Sequence, residues 1–363
     1  MEVGKALRTH GTYGNGYPEA VSRAADYIDV AEEERAQYAT QDAVASAAAP
    51  APADDRPDVI ARAWIAADAA SQRLIQEARS IARTSSAVLV RGESGTGKDL
   101  LAWILHALGL RANHPLVRID CASLPPQILE TELFGHENGQ ASASQVGRLE
   151  LASGGTLVLD EVAALSVPAQ ARLLRLIEDR RFDSASNGHG IGIDTRVIAL
   201  TTTNLDQAVA KRAFREDLYY RLNVIPMTIP PLRERVADIQ VLADAFLQRF
   251  AEMNRRPQMQ LNPMAVTALE SYSFPGNVRE LRNIIERAVQ TAAGPEIHVT
   301  DLPAQVRESF ASAARSRMSL DDLERAYISE VLEHTHGRKT MAAKILGISR
   351  KTLLEKRKRY GLD

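Results

Sequence analysis

Four short apolar runs alternate with stretches of helical spacing through the middle of the chain. Val88-Leu89-Val90 comes first, and Leu116-Val117-Arg118-Ile119-Asp120 follows. Leu157-Val158-Leu159 is the third, and Arg196 to Thr202 is a fourth that ends in polar residues. Each run is too short for a helix and is bounded by turn residues, so each reads as a buried strand. Leu74, Ile75, Ala78 and Ile81 lead into the first run at helical spacing, and Leu101, Ile104, Leu105 and Leu108 follow it at the same spacing. Strands alternating with helices predict an α/β domain with a mainly parallel sheet and flanking helices.

Pro230-Pro231 end this domain. Helical periodicity covers 237–250, 263–271 and 278–288, which predicts a small helical subdomain. At the C-terminal end, Ser319 and Asp322 form a capping box for a helix reaching about Thr335. A second helix over Thr340–Leu346 follows, Gly347 turns the chain, and Ser349 caps a third helix to about Tyr360. Helix, tight glycine turn, helix is the helix-turn-helix outline. The other end differs. Glu19 to Tyr38 suits a charged helix, and 39–58 is dominated by Ala, Pro and Asp like a linker, so a disordered tail competes with any fold there. The expected organisation is a tail over 1–58, an α/β nucleotide-binding subdomain over 59–232 and a helical lid over 233–305. A linker over 306–318 and an all-α helix-turn-helix domain over 319–363 complete it.

A length of 363 residues agrees with two or three domains. The net charge of −2 conceals a local excess. Arg338, Lys339, Lys344, Arg350, Lys351, Lys356, Arg357, Lys358 and Arg359 cluster with only Glu355 against them in that span. Such a cluster suits phosphate neutralisation on double-stranded DNA, with Arg350, Lys351, Thr352, Lys356 and Arg359 as the candidate contacts; a solvated basic helix is the plainer alternative. The single cysteine, Cys121, excludes an internal disulfide framework and fits a reducing cytoplasm. No apolar run approaches the roughly 20 residues of a membrane span. A soluble cytoplasmic protein without membrane contact is expected.

The candidate chemistry begins at Gly92. Four residues separate it from Gly97-Lys98, between a strand and a helix, which is the spacing of a phosphate-binding P-loop. Gly92, Glu93, Ser94, Gly95, Thr96 and Gly97 would turn backbone N–H groups toward a triphosphate, and Lys98 would reach its outer phosphates. Asp99 stands where a magnesium-binding Ser or Thr is usual, so one metal contact is missing. Asp160-Glu161 ends the third strand at the sheet edge where ligands of open α/β sheets bind. Asp160 would hold or orient magnesium and Glu161 would polarise the attacking water. ATP and Mg2+ are therefore the expected ligands.

Five longer motifs occur in order: Gly-Glu-Ser-Gly-Thr-Gly-Lys; Glu132-Leu133-Phe134-Gly135-His136-Glu137; Gly-Gly-Thr-Leu-Val-Leu-Asp-Glu; Pro-Pro-Leu-Arg-Glu-Arg; and Pro-Gly-Asn-Val-Arg-Glu-Leu. Together they resemble the AAA+ domain of the bacterial enhancer-binding proteins, which activate sigma-54 RNA polymerase. Ala342 to Leu353 is similar to the Fis-type DNA-binding domain that follows it. The resemblance implies ATP hydrolysis in a ring oligomer, with Arg215 and Arg221 as arginine fingers and Arg279 as the lid's sensor. It also implies dimeric DNA binding. Three positions depart from the family. Gly139-Gln140-Ala141-Ser142-Ala143-Ser144 replaces the Gly-Ala-Phe-Thr-Gly-Ala loop that touches sigma-54. Asp120 replaces an Asn that restrains the catalytic glutamate and brings another carboxylate near Glu161. Thr202 replaces a sensor Asn and reaches less far. The expectation is an ATPase with a reduced rate, acting on the polymerase itself or modulating a complete paralogue. A non-hydrolysing ATP sensor is the competing class. The segment ahead of Val59 is too short for a sensory or receiver domain, so control is expected from a separate protein or from expression level.

Overall fold

The structure, a computed structural model, describes residues 64–135, 147–179, 181–183, 190–192 and 194–316. Toward the C-terminus it describes 324–325, 327–329, 331–332, 335 and 338–361. The proposed helix at 19–38, the linker at 39–58, the loop at 139–144 and most of the capping-box helix from Ser319 lie outside these residues.

Five strands form one parallel sheet: β1 (Val88–Arg91), β2 (Leu116–Asp120), β3 (Thr156–Asp160), β4 (Arg196–Thr201) and β5 (Ile225–Thr228). Their spatial order is 2-3-4-1-5. Each apolar run of the sequence became a strand, and β5 is an addition that Pro226 had masked, since proline lacks the ladder donor. Alternate side chains enter two separate cores. Leu89, Leu157, Leu159, Val197 and Ala199 face one side, against α3 (Pro126–Phe134), α4 (Val167–Asp179) and α6 (Glu216–Leu222). Val88, Val90, Val158, Ile198 and Leu200 face the other, against α1 (Ala69–Ala82) and α2 (Lys98–Ala107). Burial on both faces is why these strands read as continuous rather than alternating apolar runs. Because all strands run parallel, Gly92, Asp160-Glu161 and Thr201-Thr202 emerge along one edge. The short α5 (Leu205–Ala210), capped by Asn204, follows β4.

The chain separates into two compact units. The first holds the sheet with α7 (Val236–Met253) and α9 (Asn277–Thr291). The second holds α8 (Pro263–Glu270), α10 (Ala304–Ser316), α11 (Lys339–Ile345) and α12 (Arg350–Tyr360). The stretch expected as a linker from 306 is helical as far as Ser316. Val306 is fully buried there, and Ser309 Oγ donates to Ser271 O at 3.0 Å. Ile328, Val331, Ala342, Ala343 and Leu353 make the small core beneath the last two helices. Among the described residues, no helix is long and apolar enough to cross a membrane.

Candidate nucleotide site and DNA-binding helices

The P-loop leaves β1, between β4 and β5, and turns at two glycines with positive φ, Gly95 (76°) and Gly97 (105°). A Cβ on Gly95 would lie 2.2 Å from Gly276 O, so only glycine fits where the lid approaches. Successive loop carbonyls are tied. Lys98 Nζ donates to Gly92 O at 3.1 Å and Glu93 O at 3.3 Å. Asn277 Nδ2 donates to Ser94 O, the Val278 amide to Gly95 O, and Arg235 Nη2 to Thr96 O, at 3.0, 3.0 and 2.9 Å. The Leu101 amide takes Gly97 O. A Gly-rich turn whose carbonyls are drawn to other partners, at the N-terminus of a helix, presents a positive face to an anion.

The charges around the loop come from distant parts of the chain. Lys98 is only 7 % exposed, and its Nζ lies 3.7 Å from Glu161 Oε1. Glu161 adopts a left-handed conformation (φ 52°), uncommon for a residue with a Cβ. Its Oε2 accepts from both the amide and the hydroxyl of Thr202, at 3.0 and 2.9 Å. Thr202, despite its short side chain, reaches Glu161. Asp120 turns its carboxylate to its own chain, accepting from the Ala122 amide at 3.0 Å. The hold on Glu161 comes from residue 202, and Asp120 closes a turn.

Asp160, 6 % exposed, and Asp99 meet at one nitrogen of Arg118. Nη2 lies 2.5 Å from Asp160 Oδ2 and 2.8 Å from Asp99 Oδ1. From the lid side, Arg279 Nη1 donates to Ser94 Oγ at 3.1 Å, and Arg233 grips Glu93 with two bonds of 2.9 and 2.7 Å. Arg233 and then Asn277 hold the Glu93 carboxyl down to about 2, well below its ordinary range. A third connection runs behind the loop. Buried Asp238 accepts from the amides of Ala67 and Asp68 and from Ser71 Oγ, and Arg235 lies between it and the ring of Trp64. That ring touches the space beside Gly97.

Arg215 and Arg221 are not drawn to this loop. Arg215 forms a fork with Asp217, and Arg221 Nε donates to Glu178 Oε1 at 3.2 Å; Arg221 is exposed on α6, and Arg215 just before it is partly buried with its side chain reaching solvent. Buried Gln170 sets their position. Its Nε2 holds Leu165 O and Ala213 O, and its Oε1 receives the Arg215 amide. Sequence reasoning assigned no role to Arg118, Arg233, Asn277 or Gln170. The signal for Arg118 was present, because a charge within an apolar strand run is often matched by a partner.

In the second unit, Ser349 Oγ accepts from the Thr352 amide and caps α12, while Gly347 turns at φ 66°. Arg350, Lys351 and Arg359 are exposed. Lys356 is engaged within the domain, 2.5 Å from Glu324 Oε1, and Tyr360 donates to the same carboxylate. Both neighbours lower the Glu324 carboxyl, Lys356 most.

Three family models match this chain in succession. The Sigma-54 interaction domain covers residues 64–228, the AAA+ ATPase lid domain 233–319, and the Bacterial regulatory protein, Fis family, 319–360. Transcriptional regulatory protein ZraR of Salmonella typhimurium is 44 % identical over 297 residues, covering 80 % of this chain and 67 % of that one. The chain belongs to the sigma-54-dependent transcriptional activators. Its other family relatives include Regulatory protein AtoC of Escherichia coli, 42 % identical over 303 residues, which are 80 % of this chain and 66 % of AtoC. It thus spans about two thirds of the length of these activators. Among solved structures, NtrX from Brucella abortus in complex with ATP is similar with 30 % identity and a TM-score of 0.62, over 94 % of this chain and 75 % of that one. The AAA+ fold, the lid and the Fis-type helix-turn-helix are those of the family.

Proposed function

We propose that this chain binds ATP between its P-loop and lid, hydrolyses it in a ring of like subunits, and binds double-stranded DNA through α12 to act on sigma-54 RNA polymerase. The observation that carries the reading is the convergence of Lys98, Asp160, Glu161 and Arg279 on a P-loop whose carbonyls are tied to the lid. In this reading Gly92 to Lys98 hold the phosphates, Glu161 orients the attacking water, and Arg279 reports the lid's closure. Arg215 and Arg221, whose side chains reach solvent on one chain, serve the nucleotide of the next. NtrX was solved with ATP, which supports the same ligand here.

The residues present fit a magnesium ion that arrives with the nucleotide. Asp160 offers a hard oxygen donor, and Asp99, where a metal contact was expected to be missing, lies beside it with a second; among the described residues no cluster of three or more ligating side chains would hold a metal alone. Magnesium at nucleotide sites is usually bound by one or two carboxylates plus phosphates and water. When bound it would neutralise phosphate charge. Glu161, released from Thr202, would accept the proton of the water.

Lys98→Ala should abolish ATP binding or turnover while leaving dimeric DNA binding intact, because the basic helices lie in the other compact unit. Equal ATP affinity and turnover in mutant and parent would remove the assignment. Whether the chain opens promoters alone or through a complete paralogue depends on 139–144, where the aromatic and threonine of the family loop are missing. Transcription in vitro from a sigma-54 promoter, with the chain alone, with its loop restored and with a complete paralogue added, separates the two.

A further inference from the structure

Resting on the nucleotide assignment above, we propose that Arg118 is a built-in counter-cation for the metal end of the phosphate site. Its guanidinium holds Asp99 and Asp160 together and is exchanged for a divalent ion that arrives with the nucleotide.

Three observations point there. First, a single nitrogen donates a hydrogen bond to Asp160 at 2.5 Å and lies within ion-pair distance of Asp99 at 2.8 Å. Two carboxylates this close to one point repel unless a cation lies between them, and Asp160 is almost wholly buried, where screening is weak. Second, these are the two acidic groups on which a metal would draw: Asp99 directly follows the P-loop lysine, and Asp160 ends β3. Third, Arg118 comes from neither of those elements. It sits on β2, paired with Val158 of β3, between apolar Val117 and Ile119. A strand position otherwise suited to an apolar side chain carries a guanidinium whose reach ends at the metal carboxylates.

The consequence is a pair of opposed effects. With Arg118 in place, the carboxylates are compensated and a metal-free triphosphate can approach. Without it, Asp99 and Asp160 repel the phosphates, and only a divalent ion relieves the repulsion. Removing Arg118 should therefore weaken metal-free ATP binding more than metal-loaded binding. A merely structural role for Arg118 would weaken both alike.

The test is a titration of the full chain with a fluorescent ATP analogue, once in EDTA and once in excess magnesium, taking the ratio of the two dissociation constants. For Arg118→Gln the ratio should rise about tenfold over the parent, the size of effect one partly buried charge exerts at this range. Arg118→Lys, which keeps the charge, should stay within about threefold of the parent on the same scale. Asp99→Asn removes a repelling charge instead, so its ratio should fall below the parent's. A ratio unchanged in a folded Arg118→Gln overturns the proposal. Should that variant not fold, a ratio for Asp99→Asn that does not fall overturns it equally. A parent that binds the analogue in neither buffer would remove the nucleotide reading itself, an outcome visible before any variant is made.

Discussion

Glu93 shows how one side chain ties the loop to the lid. Its fork with Arg233 and its bond from Asn277 lower its carboxyl from 4.5 to about 2. A depressed carboxylate contributes stability that is complete above the ordinary value and lost as pH falls toward the folded one. Parent and Glu93→Gln should therefore differ in melting temperature by a constant amount above about pH 5, and the gap should close between about 4.5 and 2. Both side chains are about two-fifths exposed, so solvent and salt screen the pair. The gap should be about 2 °C or less and should shrink with added salt. Melting curves over that pH range check this; a gap that persists at pH 2 would place the effect outside the ion pair.

At the scale of elements, α9 and α12 carry the testable detail. Asn277 is fully buried at the start of α9 with φ 52°, and it bonds Leu232, Glu93 and Ser94 at once. Asn277→Ala should cost about 3 kcal/mol by urea denaturation, because it leaves buried partners unpaired and strains a residue with no polar side chain. A loss under about 1 kcal/mol would mean the joint is made elsewhere. On α12, Arg350→Ala with Lys351→Ala should reduce the log–log salt slope of DNA binding by about 0.9 for each DNA phosphate that is no longer neutralised. Lys356→Ala should leave that slope unchanged, since its charge is matched by Glu324 inside the domain. The first four strands and the last two helices were legible from residue patterns alone, because the run Leu157 to Leu159 and the helix-glycine-helix pattern of Ala342 to Leu353 are both local. The clasp of the lid was not. Arg233 and Asn277 lie inside motifs the sequence displayed, yet their partners are 140 and 184 positions away, and no local period records such pairings. The ion pair of Lys356 was hidden for the same reason: its basic neighbours suggest phosphate, and only the fold brings Glu324 to it.

For the whole molecule, the proposed service of Arg215 and Arg221 to a neighbouring chain's nucleotide would make turnover a property of more than one chain. Lys98→Ala and Arg221→Ala should each be inactive in ATP hydrolysis and regain partial turnover when mixed. Each junction that joins an intact P-loop to an intact arginine becomes competent again. No recovery across mixing ratios, with assembly confirmed by sedimentation, would place the arginines in their own chain's site. The tied carbonyls of the P-loop have a different consequence, for recombination among relatives. The loop's shape depends on Arg235, Asn277 and Val278, so the phosphate cradle is inherited in two pieces far apart in the gene. A chimera that takes residues 64–228 from one relative and the remainder from another would join a loop to a clasp fitted to a different partner. Segment exchange should succeed where the crossover carries both pieces together, and fail where it falls between them.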